Sequence, residues 1–356
     1  MDNFELLGNV EQAQNFLESV KSGRFLLSFV MSYTETCEIP GITIAGADIN
    51  SMKYTPPADA EYLHYGYCKT IDTIPMTPDG KPTPALLTKT ALESASIPHL
   101  TINAGSKITP QLPFMETGLP FGKNISVESA MTDSEVSTAV EYGRIVGRNM
   151  ASLTDCLVIG ESIPAGTTTA LAVLRAFDFD AKVSSSIPTN PTKLKNEIVD
   201  SALKRIDSDH PYSILAKVGD PMIAFVAGML SSASSVSKVM LAGGTQMTAV
   251  LAFASKIGFN EENTAIGTTS YITNDQNANF TNVVKQIADI PAISVNPGLN
   301  NSKYSGLKAF SEGFGKEGAG AGGSIISSML KTGNNSAKFL NLAEQEYDRL
   351  TTLSGT

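Results

Sequence analysis

The feature that most limits how this chain can fold is a recurring order: a short apolar run, a turn of small residues, then an amphipathic helix. The segment 155–160 (DCLVIG) is followed by ESIPAGTTTALAVLRAF, a loop feeding a helix from about Thr168. The segment 238–243 (KVMLAG) is followed in the same way by GTQMTAVLAFASKIG. His99 to Gly105 (HLTINAG) reads as a strand ending in a turn. Thr132 and Glu135 have capping-box spacing, opening a helix through Val136, Val140, Ile145 and Val146. A helix is expected over 193–205, before an apolar run at 212–230. Apolar strands alternating with such helices imply a parallel sheet covered on both faces. Ligands of such sheets bind beyond the carboxyl ends of the strands.

The expected fold is therefore α/β. A three-layer domain with a largely parallel, Rossmann-like sheet spans 96–300, and the two chain ends, 1–95 and 301–356, supply a smaller, mainly helical domain. The first 30 residues carry a helical pattern (Phe4, Leu6, Leu7, then Phe16, Leu17, Val20) and a strand-like run from Phe25 to Met31. Residues 39–60 are rich in turn formers, including Tyr54-Thr-Pro-Pro-Ala-Asp-Ala60. A chain of 356 residues buries roughly 75% of its unfolded surface and needs no covalent or metal staple.

Composition removes several function classes. Lys and Arg total 26 against 35 Asp and Glu, a net charge of −9, with no basic cluster to suit a nucleic acid. No run of about 20 apolar residues suits a membrane. The opening MDNFELLGNVEQAQ is acidic and lacks the apolar core of a signal peptide. Cys37, Cys68 and Cys156 are odd in number and widely spaced, as reduced thiols of a cytoplasmic protein are. His64, His99 and His210 form no ligand pair and no CxxC occurs, so no metal site is expected.

Three glycine-rich segments could carry chemistry. Gly160-Glu-Ser-Ile-Pro-Ala-Gly-Thr-Thr-Thr169 joins a strand end to a helix N-terminus, where backbone N–H groups, hydroxyls and the helix dipole together cradle a phosphate. It lacks the nucleoside-triphosphate GxxxxGK[ST] pattern. The bland alternative is a capped helix with Glu161 solvated. Gly315-Lys-Glu-Gly-Ala-Gly-Ala-Gly-Gly323 places Glu317 among residues small enough for a ligand to approach closely. A carboxylate screened there from water would have a raised pKa and suit a general base; on this segment alone the blander reading, a flexible glycine hinge with an incidental Glu, is favoured. Leu241-Ala-Gly-Gly-Thr-Gln-Met247 again joins strand to helix, for ligand contact or for tight packing. Lys195 is a candidate phosphate counter-ion or a solvated lysine, and His64 beside Tyr62 and Tyr65 reads as structural.

Taken in order, these segments resemble the nicotinate-nucleotide–dimethylbenzimidazole phosphoribosyltransferase family, in its divergent archaeal and cyanobacterial branch. Ala130-Met-Thr132 with its acidic helix and Gly143 is similar to the family's AMTxEE…G. DCLVIGESIPAGTTTA resembles its strand and GEMGxGNTT loop, placing Glu161 on its acid and Thr167-Thr168 on its threonine pair, with Ile163-Pro164-Ala165-Gly166 where it has glycines. KNEIVDSAL puts Lys195 on a phosphate-contacting lysine. VGDPMIAFVAGML keeps Gly219 and has Asp220 for glycine. LAGGTQMTAVLAFA keeps Gly243 and has Ala242 for an acid. Glu317-Gly-Ala-Gly-Ala321 matches GEGxGA, with Lys316 in place of its first glycine. The resemblance covers about residues 99–325, and the family's base-pocket loop is not found in the N-terminal third.

The resemblance implies transfer of phosphoribosyl from nicotinate mononucleotide to 5,6-dimethylbenzimidazole or a related base, giving the α-ribazole phosphate of the cobalamin lower ligand. It further implies Glu317 as base, with Glu161 supporting or positioning the reacting centre. Gly166, Thr167, Thr168, the Ser184–Ser186 run centred on Ser185, Lys195, Gly243 and Gly244 would hold phosphate and ribose. Gly315 and Gly318 would face the base. A homodimer is implied, with neither cofactor nor metal. The alternatives are a phosphoribosyl-diphosphate-dependent transferase, faintly resembled by CLVIGESIPAGTTT with one acid instead of two, and a non-catalytic nucleotide-binding protein.

Overall fold

Short apolar runs with side chains alternating to opposite faces build the centre of the molecule. A computed structural model describes residues 3–43, 48–77 and 79–353. It holds strands β1 (Phe4–Leu7), β2 (Phe25–Met31), β3 (His99–Asn103), β4 (Met115–Glu116), β5 (Cys156–Ser162), β6 (Lys238–Ala242), β7 (Thr264–Thr269) and β8 (Ala292–Val295) in one sheet. Their order is β1-β8-β7-β6-β5-β2-β3-β4, and only β1 runs antiparallel to its neighbour. Along β5, Leu157 and Ile159 enter the core on one face while Cys156 and Val158 enter the core on the other. This burial on both faces explains the near-continuous apolar text of 156–159.

One face is covered by helices α4 (Asp133–Ala151), α5 (Gly166–Ala176), α6 (Thr192–Leu203), α7 (Pro211–Val218), α8 (Pro221–Ala233), α9 (Thr245–Ile257) and α11 (Phe280–Ile287), with the short α10 (Ser270–Thr273) following β7. The capping box is present: Thr132 Oγ1 accepts from the Glu135 amide while the Glu135 carboxylate accepts from the Thr132 amide. Helices α4 and α8 cross closely because glycine removes the Cβ at the contact. A Cβ on Gly143 would fall 2.1 Å from the Phe225 carbonyl oxygen.

The other face carries α1 (Val10–Val20), α2 (Thr55–Tyr65), α3 (Ala85–Ala95), α12 (Ser305–Ser311), α13 (Ala321–Thr332) and α14 (Ser336–Leu353). The helices of both chain ends therefore form one layer. The boundary expected at residue 96 cuts the sheet, however, because the N-terminal segment supplies edge strand β1 and central strand β2. Phe4–Leu7, expected to be helical, pairs instead with β8 (Phe4 opposite Val295). Within the expected turn region, residues 55–65 form α2. Its Pro56 and Pro57 occupy the first helical turn, where a missing N–H costs nothing. Among the described residues no helix is long and apolar enough to cross a membrane.

Candidate active site

From β2 the chain moves outward to β3 and β4, then returns to place β5 on the other flank of β2. The crevice beyond the carboxyl ends of β2 and β5 is thus the switch point of the sheet, the usual ligand position in this architecture. A cavity of about 830 Å³ opens there. It is lined by Glu161, Gly166, Thr167, Ser185, Gly244, Gly315, Glu317 and Gly318, so these sequence candidates share one cleft. Thr168, Lys195 and Gly243 are not part of its lining and stand behind it.

At one end, the N-termini of α5 and α9 converge. A Cβ on Gly166 would lie 3.1 Å from Gln246 Cγ. The Ser184 amide donates to Thr245 Oγ1 at 3.2 Å, and the Gly315 amide to the Ser186 carbonyl at 2.9 Å, which threads 184–186 between α9 and the late glycine tract. Lys316 extends from that tract to Asp275 at 2.7 Å, both side chains almost wholly buried, and Ser184 Oγ donates to the same carboxylate at 2.6 Å. Lys195 Nζ donates to the Ser184 carbonyl at 2.9 Å from behind. Its burial, reinforced by nearby Lys316, lowers its pKa to about 7. The two helix N-termini give this end the character of an anion site, while the Lys316 ammonium is matched by Asp275. The Gly243 amide instead joins the strand ends, donating to the Gly267 carbonyl at 3.0 Å, and among the described residues the buried Thr168 Oγ1 has no partner.

The glycine tract is packed rather than hinged. A Cβ on Gly160 would lie 2.7 Å from Gly320 Cα, one on Gly322 would lie 2.3 Å from the Thr268 carbonyl carbon, and one on Gly323 would lie 2.4 Å from Ala242 Cβ. The tract rests directly on the ends of β5, β6 and β7, and the methyl of Ala242 already fills the space beside Gly323. Thr88 Oγ1 holds the Ala319 carbonyl at 2.9 Å, and the Ala319 amide donates to the Glu161 carbonyl at 2.9 Å. Ala165 (φ 58°) and Ala319 (φ 53°) both take the left-handed backbone that alanine disfavours, and both line the cavity.

Glu317 is held by four donors. Its Oε1 accepts from the Gly322 amide (3.0 Å) and the Gly318 amide (3.3 Å), and its Oε2 from the Thr269 amide (2.9 Å) and Thr268 Oγ1 (3.2 Å). Burial raises its pKa, opposed by these bonds. Glu161, 3% exposed at the end of β5, is pushed up to about 8, first by burial and then by the charges of Asp220, Glu317 and Asp59. Both effects favour its neutral form.

Asp59 of α2 escaped the sequence reading, which took its surroundings as a turn. It is 5% exposed and lines the cavity. Thr83 Oγ1 donates to one carboxylate oxygen and Ser162 Oγ to the other, each at 2.8 Å. Burial raises its pKa to about 6. The signal that could have found it is the Pro56-Pro57 pair, which marks a helix start rather than a turn. The same cavity takes Met52, Ile74, Phe310 and Phe314 from the helix-rich chain ends, giving an apolar wall. An anion end, an apolar wall and buried carboxylates together suit transfer of a phosphorylated group to a flat, poorly charged acceptor.

Known proteins fit this geometry. A phosphoribosyltransferase family model matches residues 102–270. A UPF0284 protein of Archaeoglobus fulgidus is 45% identical over 328 residues, covering 92% of this chain and 94% of its own. A UPF0284 protein of Sulfurisphaera tokodaii is 42% identical, covering 93% and 95%. Among solved structures, the nicotinate-nucleotide-dimethylbenzimidazole phosphoribosyltransferase of Thermus thermophilus superposes with a TM-score of 0.61 at 16% identity, covering 94% of this chain and 92% of that one. A structure of CobT from the same organism gives 0.59 at 15%. The chain belongs to the UPF0284 family, carries a phosphoribosyltransferase family match over residues 102–270, and has the fold of the nicotinate-nucleotide-dimethylbenzimidazole phosphoribosyltransferase.

Proposed function

We propose that this enzyme transfers phosphoribosyl from nicotinate mononucleotide to a ring nitrogen of a benzimidazole-type base, giving an α-ribazole-type phosphate for the cobalamin lower ligand. The observation that carries the reading is one shared cleft, lined by Glu161 and Glu317 together with the N-termini of α5 and α9. The phosphate docks against the backbone amides at Gly166–Thr167 and Gly244–Thr245, with Ser185 beside it. Lys195 braces the 184–186 segment from behind, so it positions rather than touches.

With the donor fixed, one azole nitrogen attacks C1′ and the C1′–N bond to nicotinate breaks, its electron pair leaving on the pyridine nitrogen. The proton on the other azole nitrogen passes to Glu317 Oε1. The long bond from the Gly318 amide yields there to the incoming N–H, since catalytic contacts tighten only with substrate in place. Glu161, whose neutral form is favoured by burial and by the neighbouring carboxylates, donates a hydrogen bond toward the ribose. Holding both reactants in one orientation supplies much of the acceleration.

The diphosphate-donor reading is less well supported. It calls for two adjacent acids at the end of β5, and Gly160, the position beside Glu161, lies against the Gly320 backbone without room for a side chain. The test is nicotinate release from the mononucleotide when benzimidazole is added, in the presence of EDTA. Release tied to formation of the phosphoribosylated base is expected. Turnover only with phosphoribosyl diphosphate and magnesium, or binding with no turnover, overturns the reading. The family resemblance also brings a homodimer, and a monomeric mass by light scattering would remove that part.

A further inference from the structure

Asp59 is a buried carboxylate of the cleft that the transfer chemistry leaves unused. Side chains alternate along β5, so Glu161 points toward the face of α5 and α9, and Ser162 points the other way, to Asp59 on α2. The phosphate end is built from the first face. Asp59 belongs to the second, with the apolar wall of Ile74 and Phe310. That wall is where a flat acceptor lies.

A carboxylate offers about four acceptor positions. The hydroxyls of Thr83 and Ser162 fill one on each oxygen, leaving two. Among the described residues, no cation pairs with Asp59 to neutralise it. Closing the cleft over an alkyl edge would strip water from those two positions and give nothing back. An N–H or O–H on the acceptor would fill one of them.

We propose that Asp59 reads the acceptor, selecting a heteroaromatic base with an amino or hydroxyl donor on its far edge over a base whose edge carries only alkyl groups. The proposal rests on the phosphoribosyl-transfer reading for the identity of the acceptor, and it narrows that acceptor from benzimidazoles at large to donor-bearing ones. Sites that hydrogen-bond a substrate group discriminate strongly against analogues lacking it, because the protein partner is left buried and unpaired.

The test compares 5-aminobenzimidazole with 5,6-dimethylbenzimidazole on the full chain, by kcat/KM with nicotinate mononucleotide and separately by calorimetric binding of each base alone. The expected wild-type preference for the amino base is about tenfold or more in both measurements. In Asp59→Ala and Asp59→Leu that ratio should fall to about one or invert. A wild type that favours the dimethyl base overturns the proposal even if neither variant folds, and so does a ratio unchanged in folded variants. The two readings fail separately. A binding preference lost in the variants, with no turnover of any base, keeps the role of Asp59 and removes the transferase reading. Turnover without preference does the reverse.

Discussion

Replacing Glu161 by glutamine should make the fold more tolerant of alkaline solution. Glu161 has its pKa raised from 4.5 to about 8 by burial and by the neighbouring carboxylates. Below about pH 4.5 the group is protonated in both the folded and the unfolded chain, and its full favourable contribution is present. Between 4.5 and 8 the unfolded chain gives up this proton and the folded one keeps it, so stability falls as pH rises. Above 8 the loss is complete. At about 1.4 kcal/mol per pH unit the span corresponds to at most about 5 kcal/mol, and relaxation around a buried charge brings the expectation to about 2–5 kcal/mol. Glutamine is isosteric with the neutral acid and does not ionise. The entropy of unfolding of a 356-residue chain is near 0.7 kcal/mol per kelvin, and about 2–4 kcal/mol of the loss falls above pH 5, so the Tm difference between variant and wild type should grow by about 3–6 °C from pH 5 to pH 9. Asp59 and Asp220, raised to about 6, lose their share below that value and leave the upper window to Glu161. Calorimetric melts of both proteins at five pH values provide the measurement. A difference constant to within a degree would refute the burial and charge assignment of Glu161, and with it the neutral hydrogen-bonding role.

Glu317→Gln should slow turnover by about 10²–10⁴-fold with the mononucleotide and benzimidazole, since it removes the proton acceptor; wild-type rates in the purified variant would end that assignment. The same variant should lose about 2–4 kcal/mol in urea melts, because an amide nitrogen would face two donors that now point at a carboxylate oxygen. Lys195→Met should raise the KM for the mononucleotide about tenfold, or about 1.4 kcal/mol of binding, and change kcat little; an unmoved KM would detach the 184–186 segment from the phosphate site. Gly322→Ala should destabilise by about 1–3 kcal/mol, since its methyl would meet the Thr268 backbone; an unchanged melting point would show that α13 does not rest on the strand ends as described.

What the sequence made legible were features written in consecutive residues. The strand of 156–159 is apolar at every position because both of its faces are covered. The capping box of α4 has a fixed three-residue spacing, and the loops after β5 and β6 carry the glycines that such turns demand. Less legible was whatever depends on which surface a segment meets. Phe4, Leu6 and Leu7 fit a helical stripe as well as an edge strand, and only pairing with β8 decides between them. The Thr-Ala-Ile-Gly-Thr-Thr text of β7 lacks the bulky run that announces a strand, although every one of its residues is buried. The tract at 313–323 shows the same limit within the site. Read along the chain, its glycines suggest freedom. Folded, Gly320, Gly322 and Gly323 let backbone lie directly on three strand ends, and that contact brings the Gly322 amide to the Glu317 carboxylate in the cleft. Asp59 is the counterpart in the N-terminal third, where two prolines disguise a helix start as a turn. A carboxylate there gains meaning only when the hydroxyls of Thr83 and Ser162, 24 and 103 residues away, arrive on its two oxygens. The half of the cleft proposed for phosphate is thus built from local turn chemistry, and the half proposed for the acceptor from long-range contacts. A single sequence therefore speaks clearly about the donor and very little about the base.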